Sequence, residues 1–453
     1  MDLPRDFWSQ LTYLSDKERM ALEASFQEKP TIAMRLNGAK WSQKPIHPPV
    51  PWNDQGYYLE TRPFFTADPL FHAGAYYVQE PSSMVIGTLI RDLLQSMDGY
   101  VRVLDLCGAP GGKSTDIAQH LRKGDMLLSN EVIGSRVQTL KENTIKWGRA
   151  NHHISHNDPK DFQKLPGFFD IVVVDAPCSG EGLFRKDPNS VSQWSLQAVD
   201  FCQQRQLRIL EDVWDTLAEG GVLIYSTCTL NEKENEEVLG HLVSTYDVSP
   251  VQFHPPTEWS FMVSDVGDFQ QFKVLPHLSR GEGFSFFLLR KVEPTRSIKL
   301  RHRKGRKRPS KADYGELFEG MEGRLHAHED FVLFYDHEDL LRILSEHLRM
   351  VKRGTLVGTM KKGRLVPAHE WALSTDLGQE QWPAYDLSYD EAIRFLRKDV
   401  LMLPMAERGF ATVRYRGQPL GWINHLGNRV NNLYPSEYRI SAEGDRLTEP
   451  EVL

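Results

Sequence analysis

Between residues 84 and 243 the chain alternates apolar, strand-like runs with helical segments, and this pattern constrains the fold more than any other feature. The runs at 101–107 and 169–175 are mainly apolar, which is typical of parallel strands buried on both faces. Strands that alternate with helices at this spacing predict a doubly wound α/β parallel sheet. The predicted strands are 101–107, 125–132, 152–157, 169–175 and 221–227, and the predicted helices are 84–90, 135–147, 196–218 and 232–243.

The distribution of charge divides the rest of the chain. Nine Lys or Arg and no acid fall between Pro294 and Lys311, although the whole chain has a formal net charge of −7. Because this run has few apolar residues to bury, we interpret 294–312 as a basic linker. A second basic stretch without acids spans 347–366. Phosphate attraction depends on the local field, so the acidic total does not exclude a nucleic-acid partner.

At about 150 residues per domain, the 453 residues are enough for roughly three domains. We expect an N-terminal extension over 1–75, the α/β domain over 76–293, the linker over 294–312, an α+β subdomain over 313–385 and a second over 386–453. A hairpin is predicted over 411–422, with its turn at 416–419. In the α/β domain, the helix over 232–243 is expected to be capped by Asn231, with Glu234 at the reciprocal position.

Several classes of protein are excluded by absent features. The sequence contains no run of about 18 apolar residues, so no transmembrane helix is predicted. It also lacks a basic segment followed by an apolar one at the N-terminus, so no secretion signal is predicted. Four cysteines in so long a chain are too few for a disulfide scaffold, so we expect free thiols, a cytoplasmic location and no membrane partner. No metal site is predicted.

A glycine-rich turn follows the first predicted strand. Gly108, Gly111 and Gly112 lie where the strand gives way to a helix, so the backbone can approach a ligand closely. Glu131 follows Gly111 by 20 residues, at the tip of the next strand, where a carboxylate can accept ribose hydroxyls. The glycine spacing matches neither the dinucleotide fingerprint nor a Walker loop. A purely structural turn is the alternative to a nucleoside site, which the position of Glu131 favours.

Two cysteines follow two strands that we expect to be neighbours. Cys178 lies in Asp-Ala-Pro-Cys-Ser-Gly-Glu-Gly after the fourth strand, and Cys228 lies in Ser-Thr-Cys-Thr after the fifth. Neighbouring strands are about 4.8 Å apart, so both thiols should flank one site beside the glycine-rich turn. A buried, inert role is the alternative for each. We expect Cys202 to be part of the core of its helix and Cys107 to pack under the turn.

Two thiols and a carboxylate suit methylation of cytosine at carbon 5. That carbon is too electron-poor to attack a methyl sulfonium until a thiolate adds to carbon 6. Asp175, three residues before Cys178, is placed to hydrogen-bond N3 as charge develops there. The carbon 5 proton must then leave and the first cysteine must be expelled, which a second cysteine can assist.

Residues 70–292 resemble the Sun/Nop family of RNA (cytosine-5) methyltransferases. The match comprises 72–84, Cys-Gly-Ala-Pro-Gly-Gly-Lys, Asp-Ala-Pro-Cys-Ser-Gly-Glu-Gly and Ser-Thr-Cys-Thr. The resemblance implies a Rossmann-like core, S-adenosylmethionine as cofactor, Cys228 as nucleophile and Cys178 in product release. It also implies that the ribose lies against Glu131 and the adenine against Asp158, which otherwise is a loop carboxylate before Pro159. The further implied cofactor residues are Cys107, Gly108, Ala109, Pro110, Gly111, Gly112, Lys113 and Asp175.

The whole chain is similar to the bacterial branch of this family that methylates 16S ribosomal RNA. The match covers 34–37, 388–396 and 409–439, and the last of these resembles a PUA-like RNA-binding module. The resemblance implies an RNA-binding role for 1–75 and 386–453, and a monomer that acts on 16S rRNA or the 30S subunit. A strand-end pocket requires an unstacked cytosine. The two basic stretches are the expected phosphate-binding surfaces, with Arg185 and Lys186 as further candidates, unless they are merely solvated.

Other functions stay open at this point. The same reaction on a different substrate, tRNA or 23S rRNA, is one alternative. DNA cytosine methylation is a further alternative, in which Cys178 would be the usual nucleophile. A ribosome-assembly factor without activity would not require both cysteines and Asp175. An NAD-dependent oxidoreductase is excluded by the glycine spacing.

Overall fold

The computed structural model describes residues 3–296, 298, 324–328, 331–362, 364–376, 378, 382–404, 407–441 and 448–453. Most of the predicted basic linker, residues 297 and 299–312, therefore lies outside the described residues. No helix in the described ranges is long and apolar enough to cross a membrane.

Twelve α-helices lie within the described residues. A typical start is that of the longest helix, where the Ser195 side chain accepts a hydrogen bond from Ala198 N at 3.1 Å. The helices are α1 Arg5–Ser9, α2 Asp16–Ser25, α3 Pro69–Ala73, α4 Val85–Ser96, α5 Gly112–His120, α6 Gly134–Trp147, α7 Pro188–Gln193, α8 Leu196–Trp214, α9 Glu236–Thr245, α10 Glu338–His347, α11 His369–Ala372 and α12 Tyr389–Arg397.

The described strands form four sheets. They are β1 Ile32–Leu36, β2 Gly56–Leu59, β3 Tyr76–Val78, β4 Arg102–Asp105, β5 Met126–Asn130, β6 His152–Ser155, β7 Phe169–Asp175, β8 Leu217–Thr227, β9 Val248–Pro250, β10 Met262–Val266, β11 Phe269–Val274, β12 Phe284–Lys291, β13 Leu325–His328, β14 Phe331–Phe334, β15 Met350–Lys352, β16 Thr355–Lys361, β17 Arg364–Pro367, β18 Ala384–Asp386, β19 Gly409–Tyr415, β20 Gln418–His425 and β21 Val430–Asn432.

The central sheet confirms the predicted doubly wound α/β core. Its order is β10-β11-β12-β8-β7-β4-β5-β6-β15, and β9 pairs with β12. The five predicted strands, β4 to β8, run parallel, whereas β12 is antiparallel to β8. The chain order reverses between β4 and β7, and the crevice at such a switch point is where ligands of open α/β sheets bind.

Both faces of the central sheet are covered by apolar side chains, which explains the continuous apolar runs in its strands. On one face Val172 and Leu210 join a core that includes Leu344 of α10. On the other face Val173 packs with Ile117 of α5. The helix α10 from the C-terminal part therefore completes the core of the α/β domain.

The strand β15 also joins the C-terminal part to the central sheet. It pairs antiparallel with β6, with Met350 opposite Ser155. Lys352 is buried, and its ammonium donates to the carbonyls of His152 at 3.0 Å and Gly354 at 2.6 Å. The expectation that the whole stretch 347–366 is a phosphate-binding surface is wrong for Lys352, because strand pairing buries this residue.

The N-terminal sheet, in the order β2-β1-β3, is fixed to the helix α5 by a buried arginine. The guanidinium of Arg35 donates to Thr115 Oγ1 at 2.6 Å, to Gly112 O at 3.2 Å and to Gln79 Oε1 at 3.0 Å. It lies 3.4 Å from Asp116, and both side chains are fully buried. The N-terminal extension is thus packed against the α/β domain, and its strand β3 lies beyond the predicted limit at residue 75.

The C-terminal part forms two further sheets, β13-β14-β16-β17 and β18-β19-β20-β21. The predicted hairpin is β19–β20, and its turn is formed by Arg416 and Gly417, both with positive φ. Phe395 and Leu420 share a core with Met34 of the N-terminal sheet. The two ends of the chain therefore pack together.

Two predicted helix boundaries are wrong. The helix predicted over 196–218 ends at Trp214, since Leu217 already begins β8. The helix predicted over 232–243 begins at Glu236, and its N-cap residue, Asn235, makes no side-chain capping bond. Asn231 Oδ1 does accept a hydrogen bond from Glu234 N at 2.8 Å, but this bond closes a turn before the helix.

Candidate active site

Two parallel strands bring the predicted cysteines together. Asp175, the last residue of β7, pairs with Ser226 of β8, and each cysteine follows a few residues later. Cys178 Sγ lies 2.9 Å from Cys228 Sγ, and both thiols are free. The hydrogen bond to Cys228, together with burial, raises the pKa of Cys178 well above its usual value. This shift favours the protonated form of Cys178, which can then donate to Cys228 Sγ.

The carboxylate of Asp175 is held beside the cysteines by two donors. Lys113 Nζ donates to Oδ2 at 2.8 Å, and Ser226 Oγ donates to Oδ1 at 3.0 Å. Burial lowers the pKa of Lys113, but Asp175, Cys228 and Asp105 outweigh burial and raise it. Lys113 therefore stays charged beside Asp175, and its charge also interacts with Cys228.

The glycine-rich turn connects β4 to α5 in the conformation that its sequence predicts. Gly111 has φ of 113°, and a Cβ at Gly108 would lie 2.8 Å from Ser114 Oγ. Below the turn, Asp105 accepts a hydrogen bond from the Ser114 hydroxyl. Burial raises the pKa of Asp105 to about 7. The turn therefore lets a ligand contact its backbone on one side, and Ser114 and Asp105 fill the space on the other side.

One cavity of about 390 Å³ is lined by Cys178 and Cys228, by Leu106 and Cys107 before the glycines of the turn, and by the carboxylates of Glu131, Asp158 and Asp175. Glu131 Oε1 accepts from Ile133 N at 2.9 Å, whereas Glu131 Oε2 is buried with no hydrogen bond among the described residues and lies 3.4 Å from Arg136 Nη1 in an ion pair. A ribose hydroxyl would satisfy this oxygen. Asp158 also lines the cavity and accepts from Lys160 N at 3.2 Å.

Cys107 and Cys202 differ from the pair at the strand ends. Cys107 lines the cavity and packs partly against the core, and burial raises the pKa of its thiol. Cys202 lies half-buried in α8 and does not line the cavity, so the expectation that it is a core residue holds only in part.

A buried glutamate that sequence reasoning missed joins the two cysteine-bearing segments. Glu181 Oε2 accepts from Leu230 N at 2.7 Å and Asn231 N at 3.0 Å. Its Oε1 accepts from Trp194 Nε1 and from the Asn231 side chain, both at 2.9 Å. Glu181 belongs to the Pro-Cys motif, and an acid between two glycines beside a predicted site was the available signal.

A second missed glutamate holds the same segments from the other side. Glu234 Oε2 accepts from Ser179 N at 3.0 Å and from Gln206 Nε2 at 2.7 Å, and Asn231 Nδ2 donates to Oε1 at 2.8 Å. Burial raises the pKa of Glu234. The expected reciprocal capping role of Glu234 is wrong, because its side chain is turned to Ser179, next to Cys178.

The expected phosphate contact of Arg185 is wrong. Arg185 is buried, and its guanidinium donates to Glu282 Oε2 at 2.8 Å, in an ion pair whose two side chains are almost fully buried. The neighbouring Lys186 is exposed. The arginine joins the Pro-Cys segment to the segment before β12, so it is unavailable to a ligand.

Family models match three parts of the chain. The model described as 16S rRNA methyltransferase RsmB/F matches residues 93–290. The N-terminal domain of 16S rRNA methyltransferase RsmF matches residues 3–81, and the methyltransferase RsmF PUA domain matches residues 383–440. The matches therefore fall on the N-terminal extension, the α/β domain and the predicted C-terminal subdomain 386–453.

Two curated relatives match over most of their length. Ribosomal RNA small subunit methyltransferase F of Photobacterium profundum is 31% identical over 423 residues, which are 89% of this chain and 87% of the relative. The protein of the same name from Aeromonas hydrophila is 33% identical over 413 residues, 86% of this chain and 85% of the relative.

Two solved structures share the fold. A methyltransferase homolog from Pyrococcus horikoshii has a TM-score of 0.51 at 25% identity, covering 63% of this chain and 93% of the other. NSun6 from Pyrococcus horikoshii, solved with SFG, has a TM-score of 0.53 at 19% identity, covering 64% of this chain and 98% of the other.

Proposed function

The chain belongs to the RsmF family of S-adenosylmethionine-dependent methyltransferases, and from this premise we propose that it methylates carbon 5 of a cytosine in 16S ribosomal RNA. The observation that carries the proposal is the pair of sulfurs 2.9 Å apart, beside Asp175, in one cavity with a Glu131 oxygen that accepts no hydrogen bond among the described residues. That combination supports covalent catalysis next to a nucleoside site.

The residues at the cavity fit the cofactor. S-adenosylmethionine supplies an electrophilic methyl group when it is bound, and S-adenosylhomocysteine would be the leaving group. We assign its ribose to Glu131, whose Oε2 has no hydrogen-bond donor among the described residues, and its adenine edge to Asp158, which lines the same cavity. Asp175 is assigned to the cofactor as well as to the base. The remaining proposed cofactor residues belong to the turn and are Cys107, Gly108, Ala109, Pro110, Gly111, Gly112 and Lys113.

The protein activates the cytosine in the first step. The thiolate of Cys228 forms a bond to carbon 6, and the electrons of the carbon 5–carbon 6 double bond move toward N3. Asp175 faces N3, and the proton required there is supplied from the Lys113–Asp175 pair, in which the lysine is the hydrogen-bond donor. Carbon 5 becomes nucleophilic and accepts the methyl group.

The second step releases the product. The carbon 5 proton leaves to water, the double bond forms again, and the bond between carbon 6 and Cys228 breaks. The proton on N3 returns to the Lys113–Asp175 pair. The electron pair returns to Cys228 Sγ, toward which the protonated Cys178 donates across 2.9 Å. A hydrogen bond to the departing thiolate lowers the barrier to its expulsion.

The substrate follows from the C-terminal module and from the family. Residues 383–440 match the PUA domain, so we propose that this region binds the ribosomal RNA, with the N-terminal region assisting. We propose that the enzyme acts on 16S rRNA or the 30S subunit in the bacterial cytoplasm as a monomer. Transfer RNA and 23S rRNA are the competing substrates.

Three cysteine variants test the mechanism. The assay supplies 16S rRNA or 30S subunits from a strain lacking this gene, and bisulfite sequencing maps 5-methylcytosine. Cys228→Ala is expected to abolish methylation while S-adenosylmethionine binding persists. Cys178→Ala is expected to accumulate a covalent protein–RNA adduct, visible on a denaturing gel. Cys202→Ala, outside the cavity, serves as the matched control with wild-type activity.

Each step has its own contradicting outcome. Full activity of the Cys228→Ala variant would overturn the assignment of the nucleophile. Free turnover by the Cys178→Ala variant would overturn its role in release. A methyl group found elsewhere than carbon 5 of cytosine, or methylation of 23S rRNA or tRNA instead, would overturn the proposed reaction or substrate. RNA and DNA carrying 5-fluorocytosine, which traps the adduct, separate RNA from DNA as substrate.

A further inference from the structure

One face of α8 carries an exposed aromatic ring and two arginines beside the cavity. Phe201, Arg205 and Arg208 have the spacing i, i+4 and i+7, so they lie on one side of the helix. The opposite side, with Val199, is buried in the protein. Phe201 exposes 66% of its surface, which is unusual for so large an apolar side chain.

The two arginines are unpaired cations at the active site. Arg205 and Arg208 both line the cavity that contains Cys178 and Cys228. Neither guanidinium forms a hydrogen bond or an ion pair within the part of the chain that the structure describes; the charge of Arg208 acts on Asp212 of the same helix without such a contact. The third cation that lines the cavity, Arg136, is paired with Glu131. Unpaired guanidiniums in a cleft attract an anionic ligand.

We propose that Phe201, Arg205 and Arg208 bind the RNA strand next to the target cytosine, with the arginines on its phosphates and the ring under an adjacent base. This inference rests on the proposed function and specifies how the strand enters the site. Proteins bind single-stranded RNA with aromatic rings and cationic side chains, because every base has a flat face for stacking and every nucleotide has a charged phosphate.

The same face is poorly suited to the cofactor. S-adenosylmethionine has one carboxylate and two cationic groups, whereas the α8 face offers two unpaired positive charges. Phe201 lies one turn before Arg205 and is exposed to solvent, and it does not line the cavity, whereas Glu131 and Asp158 do. A strand that approaches Cys228 along α8 would meet all three side chains. The polar neighbour Gln204, exposed next to Arg205, extends the surface.

The salt dependence of RNA binding tests the arginines. The probe is a fluorescent 12-nucleotide single-stranded RNA with one cytosine, titrated with full-length protein at several salt concentrations. Each phosphate contact contributes about 0.7 to the slope of log affinity against log salt for single strands, so R205Q/R208Q should lower its magnitude by about 1.4. The matched control K17Q/K123Q removes two exposed lysines distant from the cavity and should leave the slope unchanged.

The stacking role is tested separately. Phe201→Ala should weaken binding of the same RNA about ten-fold, within the range seen for lost base–aromatic stacking, and should leave the salt slope unchanged. Phe201→Trp should retain binding. Calorimetry with S-adenosylmethionine should give the wild-type dissociation constant for all of these variants, and methylation of 16S rRNA by R205Q/R208Q should show a raised KM.

The outcomes distinguish this inference from the proposed function. If the wild-type enzyme methylates ribosomal RNA but the R205Q/R208Q variant keeps the wild-type slope and KM, the α8 surface is not an RNA site and the proposed function stands. A loss of cofactor affinity in this variant would assign the arginines to the cofactor and overturn the inference. If the wild-type enzyme methylates no RNA, the proposed function itself fails.

Discussion

Replacing Glu181 with glutamine tests whether the active site depends on one buried carboxylate. The two oxygens of Glu181 accept four N–H donors, from Leu230, Asn231 and Trp194, over 2.7–3.0 Å. A glutamine has the same shape but replaces one oxygen with an NH₂ group. In either orientation of the amide, two N–H donors then face another donor instead of an acceptor.

The magnitude follows from these bonds. A hydrogen bond to a charged group contributes about 1.5–3 kcal/mol, so the loss of two of them lowers the free energy of unfolding by about 3–6 kcal/mol. If the lost bonds affect only a local opening of the structure, the free energy of that opening falls by the same amount at the amides around residue 230. At 1.4 kcal/mol per factor of ten, their hydrogen exchange accelerates roughly 100- to 10,000-fold.

Hydrogen exchange read by mass spectrometry on a peptide that spans residues 226–235 measures this local opening. Chemical denaturation gives the global loss in parallel. The matched control is Glu237→Gln, because Glu237 is exposed and accepts only from Gln203 Nε2, at 2.8 Å. The control should stay within about 0.5 kcal/mol of the wild type. The methylation rate of the Glu181→Gln variant should fall while its cofactor affinity is retained.

A Glu181→Gln variant with wild-type hydrogen exchange in this peptide and wild-type stability would contradict the prediction. Such a result would mean that the two cysteine-bearing segments are held by other contacts. A variant that loses protection but keeps full activity would separate the rigidity of the segments from catalysis.

The remaining predictions concern a buried acid and a crowded glycine. Burial raises the pKa of Asp105 to about 7, so the folded state favours the protonated carboxyl. The contribution of this group to the stability of the folded state is complete below about pH 4 and is lost as the pH rises through 7. The free energy of unfolding of the wild type should therefore fall by up to about 4 kcal/mol relative to Asp105→Asn over this range, in denaturation at fixed pH values. A Cβ at Gly182 would lie 2.5 Å from Gly283 O and 3.0 Å from Cys228 O, so Gly182→Ala should cost about 1–3 kcal/mol in stability and reduce kcat more than ten-fold. A Cβ at Gly240 would lie 4.0 Å from a side chain, so the control Gly240→Ala should keep the wild-type kcat and the same or a higher stability. Equal kcat values for the two variants would contradict the packing argument.

The parts of the fold set by local pattern were predictable from the sequence. The strand β7, Phe169–Asp175, has the predicted bounds because its run is apolar except for Asp170 and ends at a charged residue. The turn at Gly111 follows from the need for a positive φ. The approach of Cys178 to Cys228 follows from strand adjacency, since carboxyl ends of neighbouring parallel strands share one edge.

Features that depend on distant partners were not predictable from one sequence. Asn231 and Glu234 have the spacing of a local cap, but Glu234 bonds to Ser179, 55 residues away. Arg185 looks like a surface cation until Glu282, 97 residues away, is known to face it. Lys352 belongs to a basic stretch and is nevertheless buried, because tertiary pairing overrides the pattern of charge.

The strand β15 has a consequence for the integrity of the molecule. A sheet edge exposes a row of unpaired N–H and C=O groups that readily pair with another chain, and proteins protect such edges. Here β6 would be an open edge of the catalytic sheet, and Met350–Lys352 covers it. The C-terminal part thus shields the catalytic domain from self-association, and the α/β domain is not a free-standing unit from which an RNA-binding tail can be cut away.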